Sequence, residues 1–400
     1  MNPDLERLQL YPFARLSRLL AKSAAPTQLT AIPLSIGEPR HAAPEFVLAS
    51  LRANLDKLGS YPATAGLLSL RGACARWLER RFGLPSESVD AASMVLPVNG
   101  TREALFAVAQ ATVDRSHNAP LVAMPNPFYQ IYEGAALLAG AEPFFMNTTS
   151  ATRFVPDLDA VPTAIWQRCQ LLYLCSPGNP TGVALPKAWL RQALDLAERH
   201  DFVIASDECY AELYRDDTDP PTSLLAAAQA MGNSLFRRCL VFHSLSKRSN
   251  LPGLRSGFVA GDPALIAKFL LYRTYHGSAM PVPTQIASES AWNDDAHVIA
   301  NRQLYRDKFA RVLPLLTPYW QVSEPDGGFY LWPDIGADDQ AFTRDLFAAT
   351  HVTVVPGSFL ARDTAAGNPG RGRVRISLVA SIEDCVTAAR RIRDFLEPRQ

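Results

Sequence analysis

Five short, nearly unbroken apolar runs constrain the fold of this chain more than any other feature: MVLPV at 94–98, LVAM at 121–124, LLYLC at 171–175, FVIAS at 202–206 and LVFHS at 240–244. A strand with one wet face alternates polar and apolar residues, and these runs do not, so they suit strands covered on both faces. Between them lie stretches with helical spacing, such as Trp189, Leu190, Ala193, Leu194 and Ala197 within LPKAWLRQALDLAERH. Strands alternating with helices predict an α/β fold with a parallel sheet wrapped by helices.

A chain of 400 residues exceeds what one core serves, so a large and a smaller domain are expected, with 48% apolar residues to fill both. After about residue 285 the pattern changes. A long helix-like stretch is followed by SEPDGGFYLWPDI, VTVVPGSF, GRVRISLV and an amphipathic VTAARRIRDFLEP, which reads as an α+β unit. The expected division is 1–44, a segment without a core of its own that packs on the last unit; 45–285, the large domain; and 286–400, the small one. Lys plus Arg and Asp plus Glu balance at 39 each, which gives no reason to propose nucleic acid or an anionic membrane as partner and favours a small molecule. The start carries acidic residues among basic ones, and no apolar run reaches the roughly 18 residues of a membrane span, so a cytoplasmic protein is expected. Cys74, Cys169, Cys175, Cys209, Cys239 and Cys385 show no paired spacing and read as small hydrophobes in a reducing compartment, with no metal.

Polar loop signals follow the apolar runs: NGTREA, PNPFYQ, SPGNPTG, DECY and SLSK. Each falls at a carboxyl end. Open α/β sheets bind ligands in the crevice beyond those ends, so the loops are expected to converge on one pocket. In the last of them Ser244, Ser246 and Lys247 are followed by Arg255 in LRSGF. A lysine can hold an aldehyde covalently, hydroxyls can bond phosphate, and a guanidinium fork matches phosphate oxygens, so the group suits a phosphorylated aldehyde.

With these motifs in order, the chain resembles the fold-type I pyridoxal-phosphate enzymes of the class I/II aminotransferase family over essentially its whole length. The resemblance implies pyridoxal 5′-phosphate as cofactor and Lys247 as the residue that carries it and moves the substrate proton. It implies that Asp207 pairs with the ring nitrogen, and that Asn179 and Tyr210 bond the ring's phenolic oxygen, with a cis bond between Asn179 and Pro180. Gly100, Thr101 and Arg102 resemble a phosphate cradle at a helix start, completed by Ser244 and Arg255. Tyr129 aligns with an aromatic that stacks on the ring, with Phe128 as the competing choice. Tyr61 resembles a tyrosine that reaches the neighbouring subunit's phosphate, which implies a homodimer with shared active sites. Arg375 matches the arginine for the substrate α-carboxylate, with Arg373 two residues away on the same strand, and Gly37 is expected to let backbone approach that carboxylate.

The implied activity is transfer of an amino group from glutamate to a keto acid. Within the family the wording GEPRHAAP and VVPGSFLARDTAAGNPGRGRVRISLVA resembles members that aminate N-succinyl-2-amino-6-oxopimelate, a step of diaminopimelate and lysine biosynthesis. Such an acceptor carries further carboxylates, for which Arg40 and His41 are the candidates. Transaminases for aspartate, aromatic amino acids or unsuccinylated diaminopimelate share the same cofactor residues, and a β-carbon to sulfur lyase can be built on the same scaffold. A cofactor-binding regulatory protein is a third reading, against which no DNA-binding module precedes the domain.

Overall fold

The computed structural model describes residues 1–277 and 279–397. Its strands in chain order are β1 (Ile32–Pro33), β2 (Val95–Val98), β3 (Leu121–Asn126), β4 (Glu142–Asn147), β5 (Cys169–Cys175), β6 (Val203–Asp207), β7 (Cys239–Ser244), β8 (Gly257–Gly261), β9 (Tyr330–Leu331), β10 (Val352–Thr353), β11 (Val355–Pro356) and β12 (Val374–Ser377). β2 to β8 form a seven-stranded sheet in the order β2-β8-β7-β6-β5-β3-β4. The five apolar runs are all in it. β8 alone runs against its neighbours β7 and β2, and every other pairing is parallel, so the sheet is mostly rather than wholly parallel.

Register decides where the loops open. Cys175 pairs with Asp207 and Asp207 with Phe242, so β5, β6 and β7 end at nearly one level and their loops emerge side by side. Both faces of the sheet are covered. Leu172, Ile204 and Val241 point into a core with Trp77, Trp189 and Trp292, while Tyr173, Ala205 and Phe242 point into another with Leu105, Tyr132 and Phe269. The period of two along each strand therefore splits the apolar runs between two cores, which is why the runs are continuous. The helix Lys187–His200 buries the five residues its spacing marks, Trp189, Leu190, Ala193, Leu194 and Ala197, and ends with Asp201 in the left-handed region.

The remaining sheets are small. β11, β12 and β9 form one, and β1 pairs in parallel with β10. Ile32 and Leu34 share a core with Phe309, Val354, Ile376 and Ile392, and Leu16 of the helix Pro12–Leu20 packs with Trp332 and Phe359. The early segment thus buries its apolar residues against late ones. The helix Val282–Trp292 spans position 285 and puts Ala287, Ala291 and Trp292 into the core that holds Trp77. All the cysteines are free. Among the described residues no helix is long and apolar enough to cross a membrane, and no cluster of His, Cys, Asp and Glu could hold a metal ion.

Candidate active site

A cavity of about 640 Å³ opens at the carboxyl ends of the parallel strands. Its wall includes Gly37, Thr101, Arg102, Tyr129, Asn179, Asp207, Tyr210, Ser244, Lys247, Arg255 and Arg375. Residues spread over more than three hundred positions of sequence meet there. A larger depression of about 810 Å³ lies at the amino ends, bordered by Asp114, His117, Arg168, Asp201 and Arg238. Arg238 is already paired with Asp201, and Arg168 with Glu142, so volume does not pick out the site and chemistry does.

Lys247 stands on the short helix Leu245–Arg248, which Ser244 caps by accepting from Ser246 N at 3.1 Å. Its Nζ donates to the Gly37 carbonyl at 2.6 Å. Burial lowers the amine to about pH 8, with Arg375 adding to that and Cys209, Glu38 and Asp207 opposing it. A neutral amine is thus accessible near physiological pH.

Asp207 ends β6 and is 5% exposed. Tyr132 donates to its Oδ2 at 2.9 Å and the Cys209 amide to its Oδ1 at 3.3 Å. Burial pushes the carboxyl up, and the hydrogen bonds from Cys209 and Tyr132 pull it back. Among the described residues no cation stands within ion-pair distance of this carboxylate.

The helix Thr101–Thr112 points its start at the same cavity. Gly100 lies behind the wall with φ 87°, where a Cβ would overlap the Arg255 guanidinium. That guanidinium covers the helix start, donating to the carbonyls of Pro252 at 2.9 Å and Asn99 at 3.4 Å. With the Ser244, Ser246 and Thr101 hydroxyls on the same wall, these groups could hold an anion. Arg102 is placed differently: its Nε donates to Tyr129 Oη at 2.8 Å and its Nη2 to Tyr11 Oη at 3.4 Å. It braces Tyr129 as well as lining the wall. Phe128, the competing aromatic, is 2% exposed and packs on Phe145, so Tyr129 is the one that faces the cavity.

Arg375 on β12 donates through Nη1 to Asn179 Oδ1 at 2.9 Å and through Nη2 to the Ser35 carbonyl at 2.6 Å. Its Nε is buried without a partner, and its guanidinium lies 4.6 Å from the centre of the Tyr330 ring. Arg373 turns elsewhere, to the Trp332 carbonyl and Asp334. The Asn179–Pro180 bond is cis.

Two expectations do not meet the cavity. Arg40 is exposed and absent from the wall, and His41 is spent on Asn301 and Lys308, so neither offers a donor at the mouth. Tyr61 is fully exposed, at 103%, and off the wall of its own chain. Conversely, Tyr330 and Tyr132 were not anticipated. Tyr330 Oη lies 2.8 Å from Tyr210 Oη and fills the space a Cβ on Gly37 would need. The second tyrosine of PNPFYQIYE, one helical turn from Tyr129, was the available signal for Tyr132.

A phosphorylated pyridine aldehyde fits this donor set: an amine that can be neutral, a buried carboxylate without a cation, and an anion cradle. Comparison with known proteins agrees. The family described as Aminotransferase class I and II matches residues 30–392. An LL-diaminopimelate aminotransferase of Nitratidesulfovibrio vulgaris is 31% identical over 96% of each chain. A 4-dedimethylamino-4-oxo-anhydrotetracycline transaminase of Streptomyces rimosus is 36% identical over 90% of this chain and 92% of that one. Among solved structures, an aminotransferase of Neisseria meningitidis superposes with a TM-score of 0.95 at 48% identity, covering 99% of this chain and all of the other. The chain belongs to the class I and II aminotransferases, fold-type I enzymes that work with pyridoxal 5′-phosphate.

Proposed function

We propose that this enzyme moves an amino group from glutamate to N-succinyl-2-amino-6-oxopimelate, as an N-succinyldiaminopimelate aminotransferase of the cytoplasm working as a homodimer. The observation that carries a carboxylate substrate is Arg375. It is 3% exposed, lines the cavity, and has no carboxylate partner among the described residues. A buried guanidinium in that state is completed by an incoming carboxylate. The wording of GEPRHAAP and NPGRGRVRIS supports the succinylated acceptor.

When bound, pyridoxal phosphate supplies an electron-withdrawing ring that acidifies the α-proton of an attached amino acid. The chain's own groups do the rest in this reading. Arg375 and the backbone at Gly37 orient the α-carboxylate. Lys247 Nζ, neutral in part near pH 8, takes the α-proton and returns it. Asp207 keeps the ring nitrogen protonated, Asn179 and Tyr210 steady the phenolic oxygen, and Thr101, Ser244 and Arg255 hold the phosphate. Tyr61, fully exposed in one chain, reaches the second copy.

A second reading takes unsuccinylated LL-diaminopimelate, and the name of the Nitratidesulfovibrio relative favours it. A substrate panel separates the two. With glutamate as donor, the succinylated keto acid is expected to react at least about a hundredfold faster, in kcat/KM, than oxaloacetate or phenylpyruvate, a difference of about 3 kcal/mol in transition-state binding. Faster transfer from LL-diaminopimelate to 2-oxoglutarate than from the succinylated amino acid would move the assignment to the second reading.

A further inference from the structure

Behind the Lys247 turn, side chains from three distant segments form a closed hydrogen-bonded network. Asn301, 3% exposed on the helix Ala296–Leu316, donates through Nδ2 to the carbonyls of Lys247 at 3.1 Å and Arg248 at 3.2 Å. Carbonyls only accept, so its Oδ1 faces the other way, toward Asn250 Nδ2 at 2.9 Å and His41 Nδ1 at 3.0 Å. His41 must then carry its proton on Nδ1. Its Nε2 is left to accept from Lys308 Nζ at 2.6 Å, and that amine also reaches the Val379 carbonyl at 3.4 Å. Every direction in the network follows from the two carbonyls.

The segment 37–41 is therefore fastened to the lysine turn at both ends. Gly37 accepts from Lys247 Nζ, and His41 reaches the turn's backbone through Asn301. Asn301 and Lys308 lie seven residues apart on one helix face, and Val379 follows the strand that bears Arg375. We infer that His41 is a positioning residue: gripped by Lys308, it acts through Asn301 to set where the Lys247 amine stands relative to Gly37 and Arg375. The inference rests on Lys247 as the cofactor-bearing amine, and its first readout needs no cofactor, so the two can fail separately.

Protonation of His41 removes the acceptor at Nε2 and sets a cation against Lys308. Burial and Lys308 hold the ring below its ordinary range, against the opposing bond from Asn301. Lys308 itself is lowered to about 8 by burial, with Cys385 and Glu383 opposing. Around Lys247 the charged or titratable groups are Cys209, Arg375, Glu38 and Asp207.

The test is competitive acetylation of Lys247 in cofactor-free protein across pH, read by mass spectrometry. His41→Ala is expected to raise the Lys247 midpoint by about half a unit or more as the turn loosens into solvent, while His41→Gln, whose amide can accept from Lys308 and donate to Asn301, keeps the original value. In the loaded enzyme His41→Ala is expected to lower kcat about tenfold with KM for glutamate within about twofold, and His41→Gln to restore most of the loss. An unchanged Lys247 midpoint in His41→Ala, or failure of His41→Gln to rescue it, overturns the proposal. Should His41→Ala not fold, labelled-histidine NMR of the unaltered protein decides: the Nδ1–H tautomer near neutral pH supports the network, and the Nε2–H tautomer sinks it.

Discussion

Desolvation by the surrounding packing lowers the Lys247 amine from the ordinary 10.5 to about 8, although the side chain is only half-buried at the cavity wall, and this has a stability consequence that needs no substrate. The unfolded chain titrates this amine near 10.5 and the folded chain near 8, so between those values the unfolded chain binds the extra proton. Stability due to Lys247 therefore rises with pH across that window and is lowest below it. Buried cysteines act in the opposite sense, since Cys169 is pushed up to about 12, so the clean measurement is a difference. The gap in unfolding free energy between Lys247→Met and the parent, both cofactor-free, is expected to close by about 3 kcal/mol from pH 8 to 10.5. Denaturant titrations showing a flat gap would contradict the buried amine. In the loaded enzyme Lys247→Ala is expected to lose the absorption of covalently held cofactor along with transfer. Arg375 sets the other residue-scale expectation. Replacing its fork by Arg375→Lys is expected to raise KM for glutamate by about tenfold to a hundredfold, because an ammonium cannot meet Asn179, Ser35 and a carboxylate together.

At the scale of elements, two glycines mark where backbone must come close. Gly100 holds φ 87° against the Arg255 guanidinium at the start of the helix Thr101–Thr112. Gly100→Ala is expected to cost about 1–3 kcal/mol of stability and to weaken cofactor affinity, measured by titration of the apoenzyme. Gly37→Ala sets its Cβ into Tyr330 and is expected to raise KM for glutamate with little change in cofactor affinity. The same scale shows what sequence reading reaches. The five doubly covered strands are legible because both faces are apolar. β8, GFVAG, is small and glycine-bounded, and β4, EPFFMN, is a half-exposed edge, so neither stands out as an apolar run. That Lys247, Asp207 and Asn179 meet at one cavity was legible because each stands at or just beyond the carboxyl end of a strand. Tyr330 was not, since FYLW reads as core and only the fold brings it to Tyr210. His41 sits beside Gly37 in sequence, and nothing local shows that Asn301 claims its ring.

The whole molecule leaves Tyr61 fully exposed, and Leu58, Leu68, Leu271 and Tyr275 are exposed as well. If Tyr61 serves the neighbouring site, mixing inactive Lys247→Ala with impaired Tyr61→Ala subunits regenerates sites built from two sound halves. Random reassortment is expected to recover about a quarter of parental activity, and no recovery after confirmed subunit exchange would confine each site to one chain. One pairing bears on how the chain is made. Among the described residues β1 forms ladder bonds only with β10, some three hundred residues later, and Ile32 and Leu34 find their core among Phe309, Val354 and Ile392. During synthesis Ile32 and Leu34 thus leave the ribosome long before the residues that house them. At roughly 5–20 residues per second these apolar residues wait in the open until Phe309, Val354 and Ile392 have followed, while the central sheet can already be assembling.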